Sequence, residues 1–202
     1  MIKAFVFDLG NVIVSFNHRK IVEQLQRVCE KASEEIFAEA ISSTLVQAYN
    51  VGKITSAEFF DSVNRSLKLE MDFADFSRAW NCTFEADPII PEPFIKKLSE
   101  SYRLLVLSDT NALHFDFIME NFSILNHFDD FVLSHKIGAV KPSTEIFRAV
   151  IEKAECLPEE CIFIDDVEKN VEGARRNGLN ALHFISIEQL EADLKAMNLI
   201  GE

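Results

Sequence analysis

The sequence predicts an α/β fold, a doubly wound Rossmann-like parallel sheet with an inserted α-helical cap, and three observations carry that expectation. Five short apolar runs are nearly continuous in hydrophobicity rather than alternating, the pattern of strands covered on both faces. After residue 95, helical stretches separate these runs, the order expected of strand–helix–strand crossovers. Polar residues able to do chemistry stand where the runs end.

The runs are Lys3 to Phe7, Leu104 to Leu107, Phe131 to Leu133, Ile162 to Ile164 and Ala181 to Ile185. Ser143 and Thr144 are placed to cap a helix through Phe147, Val150 and Ile151. Gly178 stands where a helix from Val171 to Asn177 should stop. Between the first and second runs no convincing strand appears, and the pattern is helical. Ile21, Leu25, Val28 and Ala32 share one face, as do Phe73, Phe76, Trp80 and Phe84. Thr55 and Glu58 have capping-box spacing ahead of Phe59, Val63 and Leu67. The segment Asp87-Pro88-Ile89-Ile90-Pro91-Glu92-Pro93 stiffens the return. The expected division is a core of residues 1–14 and 94–202, with a helical lid at 15–93. An insertion leaving directly after the first strand sits above the carboxyl edge of the sheet, where open α/β folds bind ligands.

A chain of 202 residues can bury one sizeable domain, or a core with a smaller insertion. Its 48% apolar and 26% charged residues are those of a globular protein, and eighteen Phe against two Tyr and one Trp read as packing. A formal net charge of −13 excludes nucleic acid and anionic membrane surfaces as general partners. A small anion can still be held, because one metal ion and one lysine reverse the sign locally. No run of about eighteen apolar residues is present to span a membrane. Asp8 follows the N-terminus too soon for a secretory signal, so a cytoplasmic location is expected. Cys29, Cys82, Cys156 and Cys161 form no CxxC pair and no zinc cluster, and read as free thiols.

Asp8 ends the first run, Ser108 the second and Asp165-Asp166 the fourth, while Lys141 follows the third. One parallel sheet brings all of them to a single edge. The blocks Phe5-Val6-Phe7-Asp8-Leu9-Gly10-Asn11-Val12, Leu107-Ser108-Asp109-Thr110-Asn111, Lys141-Pro142, and Asp165-Asp166 with Asn170 and Gly173-Ala174 resemble the haloacid dehalogenase-type hydrolase superfamily. They come in that family's order and cover the whole chain. The first block is most similar to the glucose-1-phosphate phosphatase-like branch, and to the phosphatase-type domains attached to some epoxide hydrolases.

The resemblance implies a magnesium-dependent phosphohydrolase acting on a small phosphorylated metabolite, with a sugar phosphate as the leading substrate. Asp8 would be the nucleophile, and Asp8, the Gly10 carbonyl and Asp165 or Asp166 the Mg2+ ligands, with Asp166 slightly preferred. Ser108, Asp109, Asn111 and Lys141 would bind the phosphate, Lys141 neutralising the charge that repels a nucleophile. Asn170 and Asn111 read equally well as plain helix residues. His18 and Arg19, at the entry to the lid, can contact substrate, whereas Trp80 and the Phe stripes read as lid core.

The chain departs from the family pattern at Gly10. Most phosphatases of the superfamily carry there an Asp that protonates the leaving oxygen, help typically worth about 10²–10⁴ in rate. Glycine keeps its carbonyl but has no proton to give. Water, a lid residue, or a readily departing group would have to serve instead. Two rival readings follow, a haloacid dehalogenase-type hydrolase and a non-catalytic module that binds a phosphometabolite. The paired Asp165-Asp166 speaks against the first, since two anions serve little there without a cation. Retention of Asp8 and Lys141 speaks against the second.

Overall fold

The computed structural model describes residues 1–201. The five expected strands form one parallel sheet. They are β1 (Ala4–Phe7), β4 (Arg103–Ser108), β5 (Asp130–Leu133), β6 (Cys161–Asp165) and β7 (Asn180–His183), ordered β5-β4-β1-β6-β7. The chain fills one side of β1 and then crosses to the other, which makes the sheet doubly wound. The register sets Phe7 opposite both Val106 and Ile164, so the residues just beyond these strands emerge side by side.

Both sheet faces are covered, which explains the continuous apolar runs. Phe5, Phe7, Leu104, Val106, Ile162 and Ile164 face one core. Helices α6 (Glu92–Ser99), α7 (Ala112–Asn121) and α11 (Ile187–Ala196) close over it. Ala4, Val6, Leu105, Leu107 and Phe163 face the other core, under α9 (Thr144–Ala154) and α10 (Glu168–Arg176). The single turn α8 (Ser134–Ile137) follows β5.

The segment between β1 and β4 departs from the expectation in one respect. It is helical, with α1 (His18–Gln26), α2 (Ser33–Ile36), a π-helical turn at Phe37–Ile41, α3 (Thr44–Asn50), α4 (Ser56–Leu67) and α5 (Phe73–Asn81). It begins and ends, however, in a two-stranded antiparallel ribbon, β2 (Val14–Phe16) against β3 (Phe84–Pro88). Phe84, grouped by spacing with the stripe of α5, therefore lies on a strand and pairs with Phe16. Neither strand has the length or alternation to declare itself, and each exists because the other lies alongside.

The helices bury a hydrophobic cluster of their own, built on Ile21, Leu25, Tyr49, Phe59, Phe76 and Trp80. The capping box of α4 is present, with Thr55 and Glu58 each satisfying the other's backbone. Helix α1 stops at Gln26, so Val28 and Ala32, expected on its apolar face, are exposed instead. Ser143 does stand at the start of α9, but its hydroxyl makes no capping bond and is buried without a partner. Strand β7 ends at His183, before Ile185. The four cysteines are free thiols, with the sulfurs of Cys156 and Cys161 3.4 Å apart. Among the described residues, no helix is long and apolar enough to cross a membrane.

Gly173 shows how the core positions the loop that carries Lys141. A Cβ on this residue of α10 would lie 2.4 Å from Cβ of Pro142 and 3.2 Å from the Phe147 ring. Only a bare backbone lets α10 approach Pro142 this closely, and the proline ring cannot swing aside. Gly173→Ala gains about 1 kcal/mol of helix propensity but incurs an overpacking cost of about 1–3 kcal/mol. The expected result is a net fall in the thermal unfolding midpoint, read by calorimetry. A higher midpoint would mean that Pro142 is free to yield.

Candidate active site

The carboxyl edge of the sheet gathers the predicted residues. The Asp8 amide donates to the Ile164 carbonyl at 2.8 Å, which continues the sheet one residue past β1 and sets Asp8 beside Asp165. One carboxylate oxygen from each of Asp8, Asp165 and Asp166 lies within 4.8 Å of the other two. Asp8 and Asp165 are buried, and Asp166 is half-buried.

Lys141 answers this concentration of negative charge. Its ammonium lies 2.7 Å from Asp8 Oδ1 and 2.7 Å from Asp165 Oδ2, and its side chain is almost fully enclosed. The Lys141 backbone N–H donates to Asp109 Oδ1 at 3.0 Å. Asp165 is saturated with donors. It accepts from the Val167 amide at 2.8 Å and from Asn170 Nδ2 through both oxygens at 3.1 Å. Asn170, which sequence reading left undecided between a helix residue and a site residue, is therefore one of the donors that fix Asp165. The Asp166 carboxylate is less engaged, with the Asn11 side chain only offsetting part of its raised pKa.

One cation among three acids leaves the site short of positive charge. Burial pushes the Asp8 carboxyl up to about 7; Lys141 pulls against this and the Asp165 charge adds to it. Burial, and then the neighbouring Asp165, also raise Asp166. Burial favours an uncharged Lys141, but Asp8, Asp165 and Asp109 outweigh it and hold the ammonium well above its usual range. The carboxylate oxygens are hard donors of the kind that hold Mg2+. Among the described residues, no backbone amide bonds to the Gly10 carbonyl, so that oxygen is also available.

Beside these residues lies a cavity of about 170 Å³. Gly10, Ser108, Asp109 and Asn111 line its core side. His18, Ile41, Val46, Asn50 and Trp80 line it from the helical side, with Phe16 and Phe84 of the ribbon between. The geometry adds a contact or a position for three of the expected residues. Asp109 anchors the backbone of Lys141. Asn111 caps α7 through the His114 amide and donates Nδ2 to Asn50 Oδ1 at 3.2 Å. Arg19 is exposed and lines a separate shallow groove with Val22 and Phe37, away from the cavity.

His114 and Asn50 were not found from sequence. The only signal was the place of His114 three residues after the capping Asn111, which puts it one turn into α7. Trp80, read as lid core, belongs to the helical cluster and also lines the cavity.

Lys141→Met tests the electrostatic balance. Without the ammonium, Asp8 loses the neighbour that pulls its pKa down. A carboxyl raised in the folded state contributes stability that is complete below its unfolded value, about 3.9, and is lost as pH rises through the folded value. In wild type Asp8 loses it near pH 7, and in the variant, without the Lys141 charge, its value rises further. The destabilisation of Lys141→Met relative to wild type should therefore grow between pH 5 and pH 8, reaching about 3–5 kcal/mol. Urea unfolding in chelator at the two pH values reads it. A pH-independent difference would show that charge is not what Lys141 contributes.

Comparisons with known proteins place the chain in a family. Residues 2–178 match the family profile described as haloacid dehalogenase-like hydrolase. A D-ribitol-5-phosphate phosphatase of Bacteroides thetaiotaomicron is 27% identical over 177 residues, covering 85% of this chain and 86% of the relative. Phosphatase MT3486 of Mycobacterium tuberculosis is 27% identical over 193 residues, covering 89% and 86%. The crystal structure of a Bacteroides thetaiotaomicron HAD family enzyme, bt-2542, in complex with magnesium and inorganic phosphate superposes with a TM-score of 0.84. That structure is 28% identical, with 93% of this chain and 96% of the other covered. The profile match over most of the chain decides the matter: this protein belongs to the haloacid dehalogenase-like hydrolases.

Proposed function

We propose that the protein is a magnesium-dependent phosphohydrolase that cleaves a small phosphorylated metabolite, a sugar or polyol phosphate, through an aspartyl-phosphate at Asp8. The observation that carries this reading is the buried Lys141 ammonium held between Asp8 and Asp165, at an edge where three carboxylates meet one cation. Phosphatase-named relatives covering most of the chain support it. So does the magnesium and phosphate complex of the similar Bacteroides thetaiotaomicron enzyme.

In this reading a carboxylate oxygen of Asp8 attacks phosphorus while the bond to the leaving oxygen breaks, and that oxygen takes up a proton. Water then attacks the acyl phosphate and returns phosphate and free Asp8, so one difficult step becomes two. Lys141 holds phosphoryl oxygens whose charge would otherwise repel Asp8, and Ser108 is placed to donate to another. Asp8, the Gly10 carbonyl and Asp166 would hold Mg2+, which supplies positive charge against the transferring phosphoryl group. Asp165, its oxygens already engaged, would chiefly orient Lys141. We take residues 15–93 as the lid over this site.

Two outcomes test the chemistry. Purified protein should release p-nitrophenol from p-nitrophenyl phosphate with magnesium and lose this in chelator, and Asp8→Asn should lower the rate by more than about 10³-fold. Inactive, folded wild type would sink the phosphatase reading in favour of a binding module.

The second outcome concerns position 10. A Cβ on Gly10 would meet only Cβ of Phe16, at 3.8 Å, so a side chain fits there. Gly10→Asp should raise turnover of an alkyl phosphate relative to p-nitrophenyl phosphate, toward the about 10²–10⁴ that a general acid contributes. An unchanged ratio would show that a proton donor already serves the leaving oxygen.

A further inference from the structure

The cavity beside Asp8 contains a polar atom that the fold leaves unused. His114 lies in the first turn of α7, and its side chain is clamped on several sides. Trp80 stacks on it at 5.3 Å between centroids and 8° between planes. Phe84 stands edge-on at 5.1 Å and Phe16 at 5.6 Å. One ring nitrogen, Nδ1, lies 3.0 Å from the Asn81 amide oxygen. An amide oxygen only accepts, so Nδ1 carries the hydrogen and Nε2 presents a lone pair. Among the described residues no group donates to Nε2. The residue is 5% exposed, and it lines the cavity. Burial, and then the nearby His18, push its pKa down to about 3, which keeps the ring uncharged.

A histidine packed among aromatic rings is ordinarily a core residue with its polar atoms satisfied. Here one acceptor, Nε2, has no partner among the described residues, in a side chain that lines a partly open cavity. That space also holds the amides of Asn50 and Asn111, and the apolar side chains of Ile41, Val46 and Ile118. No Lys or Arg lines it. Its volume of about 170 Å³ is small against the about 300–1,000 Å³ of pockets for drug-sized ligands. A second phosphate would find no cation on its walls.

We propose that this cavity is the leaving-group pocket, built for a compact uncharged polyol, and that His114 is a specificity residue whose Nε2 accepts a hydrogen bond from one of its hydroxyls. The inference rests on the phosphohydrolase reading for the word leaving, but the recognition is a matter of binding alone. Trp80 and Phe84 hold the ring in place, and Asn81 fixes its tautomer. A ligand lacking the hydroxyl leaves this acceptor unpaired, which is how such a site discriminates.

The test uses the Asp8→Asn variant with magnesium, which permits equilibrium titration. His114→Phe keeps the aromatic packing and removes the acceptor. Calorimetric affinity for D-ribitol 5-phosphate should fall at least about tenfold relative to that for inorganic phosphate, and His114→Gln should recover part of it. Equal weakening of both ligands, or none, overturns the proposal. A second measurement needs no change at position 114. With ¹⁵N-labelled histidine, the Nε2 resonance of His114 should move when D-ribitol 5-phosphate is added and stay in place with inorganic phosphate. An unmoved resonance on saturation overturns the proposal even if wild type hydrolyses the ester. A moved resonance without hydrolysis supports it and sinks the catalytic reading alone.

Discussion

The arrangement depends on one ion cluster, the Lys141 ammonium shared between the buried carboxylates of Asp8 and Asp165. Burying a charge is costly unless it is paired and hydrogen-bonded, and every neighbour of Lys141 serves that requirement. Asp109 fixes its backbone, while Asn170 and the Val167 amide fix the orientation of Asp165. Gly173 lets α10 close on Pro142, the residue after Lys141. The helix that presents Asn170 is thus also the helix that presses the lysine loop into place. Electrostatics and packing are not separable at this edge, because the same backbone segments carry both.

A second constraint comes from the helical unit, which is fastened to the core where the cavity forms. The Tyr49 hydroxyl accepts from the Leu113 amide at 3.1 Å. The Asn50 side chain accepts from Asn111, and its carbonyl accepts from Ser134 Oγ at 2.6 Å. At Gly52, with φ +68°, a Cβ would lie 2.0 Å from the His135 carbonyl oxygen, so the chain passes there only as glycine. These contacts all converge on the start of α7 and the residues after β5. The helices therefore wall the cavity with side chains chosen independently of the ion cluster, and recognition can vary while the chemistry stays fixed.

The sequence displayed the sheet and the ion cluster for one reason. Strands such as Phe5-Val6-Phe7 are buried on both faces, so their apolar runs are continuous, and the first polar residue after each run marks the edge. Asp8, Ser108 and Asp165 are read in this way without knowing what packs against what. The ribbon of β2 and β3 was hidden, because Val14 to Phe16 and Phe84 to Pro88 stabilise one another across nearly the whole insertion. Phe84 fitted the period of α5 by spacing alone, and only tertiary pairing removed it. His114 was hidden more deeply. Its meaning lies in Asn81 and Trp80, which reach it from another helix, and no local pattern encodes an unsatisfied acceptor.

The charge of the whole chain puts these two regions in proportion. With a net charge of −13 the protein repels anions at a distance, yet its proposed substrate is an anion. Screening limits that repulsion to about 8–10 Å at ordinary ionic strength, so the local field decides binding. At the sheet edge the field comes from Lys141 and, in the proposed mechanism, from a divalent cation that the three acids can recruit. In the adjoining cavity no lysine or arginine is present. Within the cavity itself, then, no side chain attracts negative charge. A monoester with an uncharged remainder satisfies both regions, whereas a second anionic group on the ligand would meet neutral amides and aromatic rings inside an acidic protein. In the proposed mechanism the single cation among three acids therefore does two things at once: it makes phosphate acceptable at the sheet edge, and it leaves the adjoining cavity to an uncharged group.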